Sequence, residues 1–457
     1  MDMFLFLLSV KTVVIIGGGF SGMLTATHLL LKSETIKIQL VNRDHAPGRG
    51  IAYDTIRREF LLNVPASRMS AFIGEPDHFV NWIRCSKDYQ KYSNEKYVPR
   101  MAYGKYLDEV FKTTLTNPRF ELINSNAIKI TPDEKRFAIT LADGLSLEAD
   151  HVVLATGNFH PSLPKGINNT ILSSNKYFKD PWNTEFLKGC IEKKDILLVG
   201  TGLTMVDSVL ALQEEGFKGK IYITSPRGYI PAMHVEKKPF PDFYTQIAGK
   251  PLSEIFHEVH QKIAIAERDQ IPWQAVIDSI RPHAGKIWQN LNLKEKQQFI
   301  SHVRHIWGVA RHRLPPSVHE KLTELILTGK AEIIAGRIIE VKEDDTGFQV
   351  KIRLRGSQEE NKIKVNLIVN CTGPQLNFSE CDDPLIRNLV HSGFIMTDQL
   401  KLGLKADAEG RLIHANEQIA ENVFAIGSLL RGVLWETTAV PEIRLQAENI
   451  AKLILAQ

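Results

Sequence analysis

The stretch Val13 to Gly22, VVIIGGGFSG, constrains this chain more than any other. A β-branched apolar run stops at glycines and a helical pattern begins at once, so a buried strand must turn sharply into a helix. Gly17, Gly19 and Gly22 stand at the spacing GxGxxG. The first permits the tight turn, the second lets backbone approach a pyrophosphate, and the third lets the helix pack on the strand. The helix is expected from about Phe20 to Lys32, with its first amides, those of Phe20 and Ser21 among them, and its positive dipole end aimed at the diphosphate. Ile36, Ile38 and Leu40 then alternate through a second short strand that ends at Asn42. The dinucleotide fingerprint places Asp or Glu there, accepting from ribose hydroxyls. An amide accepts one bond and donates another; losing the charge-assisted pair costs on the order of 1 kcal/mol, which weakens the grip without abolishing it. A plain glycine turn that holds no nucleotide is the alternative.

With 457 residues the chain is long enough for two or three domains. A net charge of +4 is small against 56 basic and 52 acidic residues, so nucleic acid is not an expected partner and any anion preference must be local. The four cysteines, Cys85, Cys190, Cys371 and Cys381, show no CxxC or CxxxxC spacing. Neither a disulfide scaffold, a zinc site nor a dithiol pair is expected, and thiols this sparse fit a reducing cytoplasm. Phe4 to Leu8 is apolar but far shorter than the roughly 20 residues of a membrane span, and no basic residue precedes it. Met1 to Ser9 is therefore expected to be an extension ahead of the first strand.

Beyond Asn42, the run APGRGIAY brings Arg49, flanked by Gly48 and Gly50, within reach of the first turn. Such a loop can wrap a phosphate and neutralise it, or be a solvated basic turn. In FLLNVPASRMSAF, Asn63 is a polar residue in an apolar run just before Pro65, either a turn-former or a polar group placed in a dry pocket. Strands are expected at 120–124, 127–131, 136–141 and 145–149, a small meander returning to the parent sheet, followed by a buried strand at 151–155 that ends in Ala155-Thr156-Gly157. The same order recurs from Glu332: EII, a turn, EVKEDDTG, FQVKIRLRG, then LIVNCTG. The chain contains a repeat.

Between the copies, DILLVGTGLTMVDSVLALQEEG is a second strand, glycine turn and helix. Gly200 and Gly202 hold the first two motif positions, Met205 replaces the third glycine, and the helix stops at Gly216. The next strand runs from Lys220 to Thr224 and leads into Ser225-Pro226-Arg227-Gly228. Where a carboxylate would bind a ribose 2′-hydroxyl, Ser225 and Arg227 suit a 2′-phosphate, which favours NADPH over NADH; an exposed turn arginine is the alternative. From about Val235 to Thr328 the pattern becomes helical, an α-helical insertion. His302 and His305 lack a matched carboxylate there, so a basic helix face is expected and no metal. Near the C-terminus a buried strand ends at Gly427, and a helix starts with Pro441 as its first residue.

Together, GGGFSG, Ala155-Thr156-Gly157, GTGLT from Gly200 to Thr204, Cys371-Thr372-Gly373 and the closing VFAIGS resemble the two-dinucleotide-binding-domain flavoproteins, among them glutathione-reductase-like enzymes and flavin-containing monooxygenases. GRGIAY, LNVPASRM, GTGLTMVD and VPEIRLQA are most similar to bacterial FAD/NAD(P)-binding proteins of that superfamily. The resemblance implies an α/β fold with two Rossmann-like, glutathione-reductase-type domains. Residues 1–165 would form the first part of an FAD-binding domain, 166–374 an NAD(P)H-binding domain carrying the insertion at about 235–328, and 375–457 the rest of the FAD-binding domain. FAD would lie on Gly17, Gly19, Phe20, Ser21, Gly22, Asn42, Arg49 and Gly50, with Met69, Ala155, Thr156, Gly157, Gly427 and Ser428 around it. NADPH, or NADH, would lie on Gly200, Gly202, Thr204, Ser225 and Arg227. LLNVPASRMSAF is similar to the TNxPxxxMxF segment of flavin-containing monooxygenases, which implies that Asn63 contacts the flavin, the nicotinamide or the peroxyflavin and acts in catalysis. Three departures stand out: Asn42 for the ribose acid, Ser428 for the usual Asp after Gly427, and only a partial FxGxxxHxxxW signature around Phe159 to Trp182.

The function implied is an NADPH-dependent oxidoreductase with FAD, foremost a monooxygenase using dioxygen on a small molecule. The alternatives are a reductase passing hydride to a quinone or other acceptor, and a non-catalytic flavin-binding redox sensor.

Overall fold

The computed structural model describes residues 10–43, 46–133, 136–188 and 194–457. The apolar stretch Phe4 to Leu8, the expected extension Met1 to Ser9 and Cys190 lie outside them. The chain opens with β1 (Thr12–Ile16), the helix Phe20–Lys32 and β2 (Lys37–Asn42), within a residue of the bounds its pattern predicts. After β3 (Phe120–Asn124) come β4 (Ala127–Asp133), β5 (Arg136–Leu141), β6 (Ser146–Ala149) and β7 (His151–Leu154). The middle of the chain carries β8 (Tyr177–Phe178), β9 (Ile196–Val199), the helix Leu203–Glu214, β10 (Ile221–Ser225), β11 (Ala331–Asp344), β12 (Gly347–Leu354), β13 (Glu360–Val365) and β14 (Leu367–Asn370). Last are β15 (Arg411–Ile413), β16 (Ile419–Ala425) and the helix Val440–Ala456.

These elements sort into two compact units. The first takes in the described residues within 1–56, 64–159 and 376–457; the second takes in those within 57–63 and 160–375. The first unit holds a six-stranded sheet in the order β15-β16-β7-β1-β2-β3, parallel except at β15. A central parallel strand is covered on both faces, which is why β1 and β7 are near-continuous apolar runs and bury Val13, Val14, Ile15, Val152, Val153 and Leu154 completely. The second unit holds a seven-stranded sheet in the order β13-β12-β11-β10-β9-β14-β8. Its core gathers Leu198, Val209, Leu212, Ile223 and Val369 between sheet and helices.

The two meanders of the repeat differ. In the first, Ser125 donates its amide to the Ile123 carbonyl at 3.1 Å, the chain turns, and β4, β5 and β6 pair only with one another in a separate three-stranded sheet. The chain rejoins the parent sheet only at β7. In the second, the turn expected after EII is absent. β11 runs through it, parallel to β10 over Ala331 to Ala335 and then antiparallel to β12 from Gly336 onward, with a bulge between Ile338 and Glu340. Gly336 serves close approach here: a Cβ on it would stand 2.6 Å from the Arg353 carbonyl oxygen. β13, which the pattern missed, is the third strand of that meander.

The segment between β10 and β11 is helical from Tyr244–Ile247 through Leu252–Arg268 to Pro316–Leu327. The long helical pattern at 293–313 resolves into Leu293–Gln298, a π-helical turn Phe299–Val303 and Arg304–Arg311. Pro441 is the second residue of its helix rather than the first. Among the described residues no helix is long and apolar enough to cross a membrane, and no group of three or more His, Cys, Asp or Glu is placed to hold a metal ion.

Candidate functional site

The two glycine turns are built on one plan. In the first unit Gly17 donates to the Val41 carbonyl at 2.8 Å, and Ala155 donates to the Ile16 carbonyl at 2.8 Å. In the second, Gly200 donates to Thr224 at 2.7 Å and Cys371 to Val199 at 2.7 Å. The segments Ala155-Thr156-Gly157 and Cys371-Thr372-Gly373 thereby lie directly on the first glycine of each turn. Gly17 has φ +111° and a Cβ on it would meet the Ala155 carbonyl, with its carbon at 2.6 Å; Gly200 has φ +117° and would meet Cys371 with the same 2.6 Å. Only glycine fits either position.

The second glycines are different in kind. A Cβ on Gly19 would find one neighbour, the Gly50 Cα at 3.7 Å, and on Gly202 nothing within 4 Å. Each caps its helix in extended conformation with no side-chain hydrogen bond. The first amides of both helices are therefore left for an anion, in front of a cradle that any Cβ would fill.

Around the first turn, Gly22 packs against the Gly17 carbonyl. Asn42 accepts from the Gly18 amide at 3.3 Å, so its side chain closes the turn. The Arg49 loop does lie on the turn, with Gly48 donating to the Gly18 carbonyl at 2.7 Å. The Arg49 guanidinium, however, is held by Asp108, with Nε to Oδ1 at 2.8 Å and a second bond from Nη2, and by Asp54 at 3.4 Å. Its charge is matched by two carboxylates rather than standing alone for a phosphate. The Phe20 ring turns away into the core, packing with Tyr103 and Phe111. Met69 is likewise buried, closing the short turn Ala66–Arg68. Gly427 approaches the Ser21 hydroxyl, which a Cβ on Gly427 would meet at 3.5 Å. Ser428 donates to the Gly157 carbonyl at 2.6 Å and so fixes that loop.

Thr156 Oγ1 tests whether a cofactor fits. It is buried without a hydrogen-bond partner. Its counterpart Thr372 is satisfied within the protein, donating from Oγ1 to Asn370 Oδ1 at 2.7 Å. A buried hydroxyl left unmatched costs about 1–3 kcal/mol unless a ligand supplies the partner. The orphan, the open second glycine and the uncapped helix together fit a dinucleotide such as FAD on the first unit.

At the second turn, Thr204 lies in the first turn of its helix, and its carbonyl accepts from the Ser208 hydroxyl at 3.0 Å. Ser225 bridges to Thr201 Oγ1 at 2.9 Å and accepts from the Gly228 amide at 3.0 Å, playing the part Asn42 plays in the first. Arg227 donates through Nη2 to the Ser301 carbonyl at 2.9 Å. The open Gly202 and these strand-end groups fit a second dinucleotide. Asn63 ends the short segment 57–63 of the second unit, and its carbonyl lies 2.9 Å from His234 Nε2. Burial holds the His234 imidazole down to about 4, so at neutral pH it is uncharged and donates this bond through Nε2–H.

Sequence reasoning missed His234, Asp108 and Gln446, whose Oε1 accepts from the Gly427 amide at 2.9 Å. None carries a local signal of its role, because each acts on a residue far along the chain.

A protein-family model described as FAD-NAD(P)-binding matches residues 14–159. Among curated protein sequences none matches this chain. Among solved structures, the chain is similar to a Kutzneria ornithine N-hydroxylase with reduced FAD, NADP+ and L-ornithine, at TM-score 0.68 and 13% identity over 98% of this chain and 99% of that one. It is similar to a cadaverine monooxygenase of Erwinia amylovora bound to FAD, at TM-score 0.67 and 12% identity over 98% and 95%. A thioredoxin reductase of Lactococcus lactis aligns at TM-score 0.52 and 14% identity over 98% and 100%.

Proposed function

We propose that this chain, which has the fold of the two-dinucleotide-binding-domain flavoproteins, is an NADPH-dependent oxidoreductase that carries FAD, and within that class a monooxygenase acting on a small molecule with dioxygen. The observation that carries the reading is the pair of open glycine cradles, one beside the orphaned Thr156 hydroxyl and one beside Arg227. The solved structures it is similar to include an ornithine hydroxylase holding reduced FAD and NADP+, which supports the choice within the class. A cytoplasmic setting agrees with free thiols.

On this reading, the amides at Phe20 and Ser21 hold the FAD diphosphate, Thr156 supplies the hydroxyl contact, and Gly202, Thr204 and Arg227 hold NADPH. The flavin, when bound, supplies the redox chemistry. The protein's own part is to position the two cofactors, exclude water and offer one fixed polar contact, for which Asn63 is our choice. His234 holds the Asn63 backbone in place. Disulfide reduction fits poorly: the sequence has no CxxxxC pair, and burial pushes the Cys371 thiol up to about 12, where it stays protonated.

The test is the visible spectrum of the purified protein before and after anaerobic NADPH addition. Bleaching of a bound flavin supports the oxidoreductase. A flavin that NADPH cannot reduce would leave the redox-sensor reading, and colourless protein that stays so with added FAD would sink the proposal. Asn63→Ala then separates the enzyme classes. In a monooxygenase it retains FAD and releases more hydrogen peroxide per NADPH than wild type. In a reductase that hands hydride to a quinone, anaerobic turnover with that acceptor persists.

A further inference from the structure

The helical insertion returns to the C-terminal end of β10. Ser301, in the π-helical turn Phe299–Val303, accepts from Arg227 Nη2 at 2.9 Å, and Arg304 begins the helix that follows. π-turns inside helices occur often at functional sites. From the other side, Arg355 donates through Nη1 to the Arg227 carbonyl at 3.4 Å while its guanidinium covers the Tyr229 ring at 5.3 Å. Arg227 and Arg355 thus meet where β10 ends, next to Ser225 and the second glycine turn, and the insertion brings Arg304 there three residues past Ser301. Among the described residues no carboxylate lies within ion-pair distance of Arg227, Arg304 or Arg355, although ion pairs elsewhere in this unit are common. The charges are felt: burial first, and then the charge of Arg227, draws the Arg304 guanidinium below its usual range. The neighbouring His305 is held down to about 4 by burial, with Arg304 and Arg227 adding to the effect.

Guanidiniums whose charges act on one another without a counter-ion are unfavourable in the protein alone, and a doubly charged phosphate monoester relieves them. The position selects which one. In a dinucleotide-binding domain the end of the strand after the glycine turn faces the adenosine ribose, where NAD takes a carboxylate and NADP an arginine.

We infer that Arg304, delivered by the helical insertion, joins Arg227 in clamping the 2′-phosphate of NADPH, so that the insertion sets the choice of NADPH over NADH. The inference rests on the second glycine turn holding the nicotinamide dinucleotide. Arg304 touches no reacting atom; it determines specificity by binding.

The experiment measures NADPH and NADH affinity by anaerobic flavin reduction in wild type, Arg304→Gln and Arg304→Lys, with flavin content as the check on folding. Binding of 2′-AMP and 5′-AMP to the same proteins isolates the phosphate. Arg304→Gln weakens NADPH and 2′-AMP by about 10- to 100-fold and leaves NADH and 5′-AMP unchanged. Arg304→Lys, which keeps the charge and loses the fork, falls between. Equal loss for both nicotinamides, or an unchanged NADPH to NADH ratio in Arg304→Gln, overturns the role of Arg304 while leaving the functional reading intact. Wild type that binds neither nicotinamide overturns both.

Discussion

Gly19→Ala separates a cofactor-binding glycine from a fold-bearing one, and the structure gives the size of the effect. Gly19 has φ −73° and ψ −171°, which alanine adopts freely, and its added methyl would touch only the Gly50 Cα at 3.7 Å. The protein has room for it. Through the unfolded chain alone, such a substitution stabilises by about 0.4–1 kcal/mol. The same methyl stands before the uncapped amides of the helix Phe20–Lys32, where a diphosphate must come into hydrogen-bond contact. Overpacking of that kind costs about 1–3 kcal/mol, or about 5- to 150-fold in FAD affinity. Gly17→Ala is the contrast. At φ +111° the new Cβ would lie 2.6 Å from the Ala155 carbonyl carbon and 3.0 Å from the Thr156 nitrogen. Left-handed strain of about 1–2 kcal/mol and overpacking of about 1–3 kcal/mol sum to about 2–5 kcal/mol. That is a large part of a total stability of about 5–15 kcal/mol. Urea unfolding of the flavin-free proteins and FAD titration by fluorescence read the two effects separately. Gly19→Ala keeps or raises the unfolding midpoint and loses FAD; Gly17→Ala lowers the midpoint without FAD present. If Gly19→Ala binds FAD as wild type does, the diphosphate does not rest on this turn.

Other expectations concern single groups. Asn42→Asp keeps the shape that accepts from the Gly18 amide and restores the ribose carboxylate, so FAD binds several-fold tighter by titration; weaker binding would remove the ribose from this strand end. Burial, reinforced by Lys11, holds the His151 imidazole down to about 4 against a usual 6.5. The unfolded chain therefore binds a proton that the folded chain refuses between those values. The stability from neutral His151 is complete above pH 6.5 and is lost as pH falls towards 4, by up to about 1.4 kcal/mol per pH unit. His151→Gln flattens that slope in urea unfolding between pH 4.5 and 7; an identical slope would show that another group sets it.

Local pattern carried much of the fold and little of the partnership. Alternation and glycine spacing located β1, β2, β9 and their helices because the period of a strand or helix is written in consecutive residues. The run of β11 through Gly336 was hidden, since a glycine that lets strands approach looks the same in sequence as one that ends a strand. Arg49 is likewise one letter, and whether its charge faces a phosphate or a carboxylate depends on Asp108, 59 residues on. Arg304 sat in a helix face with no visible connection to β10 until Ser301 met Arg227. The matched tripeptides show how little sequence separates a used group from an idle one. Thr372 is satisfied because Asn370, two residues earlier, accepts its hydroxyl, whereas Thr156 has Leu154 in the corresponding place, which cannot. The difference is a single side chain at the end of a buried strand. It leaves the first hydroxyl, and not the second, in need of a partner from outside the chain.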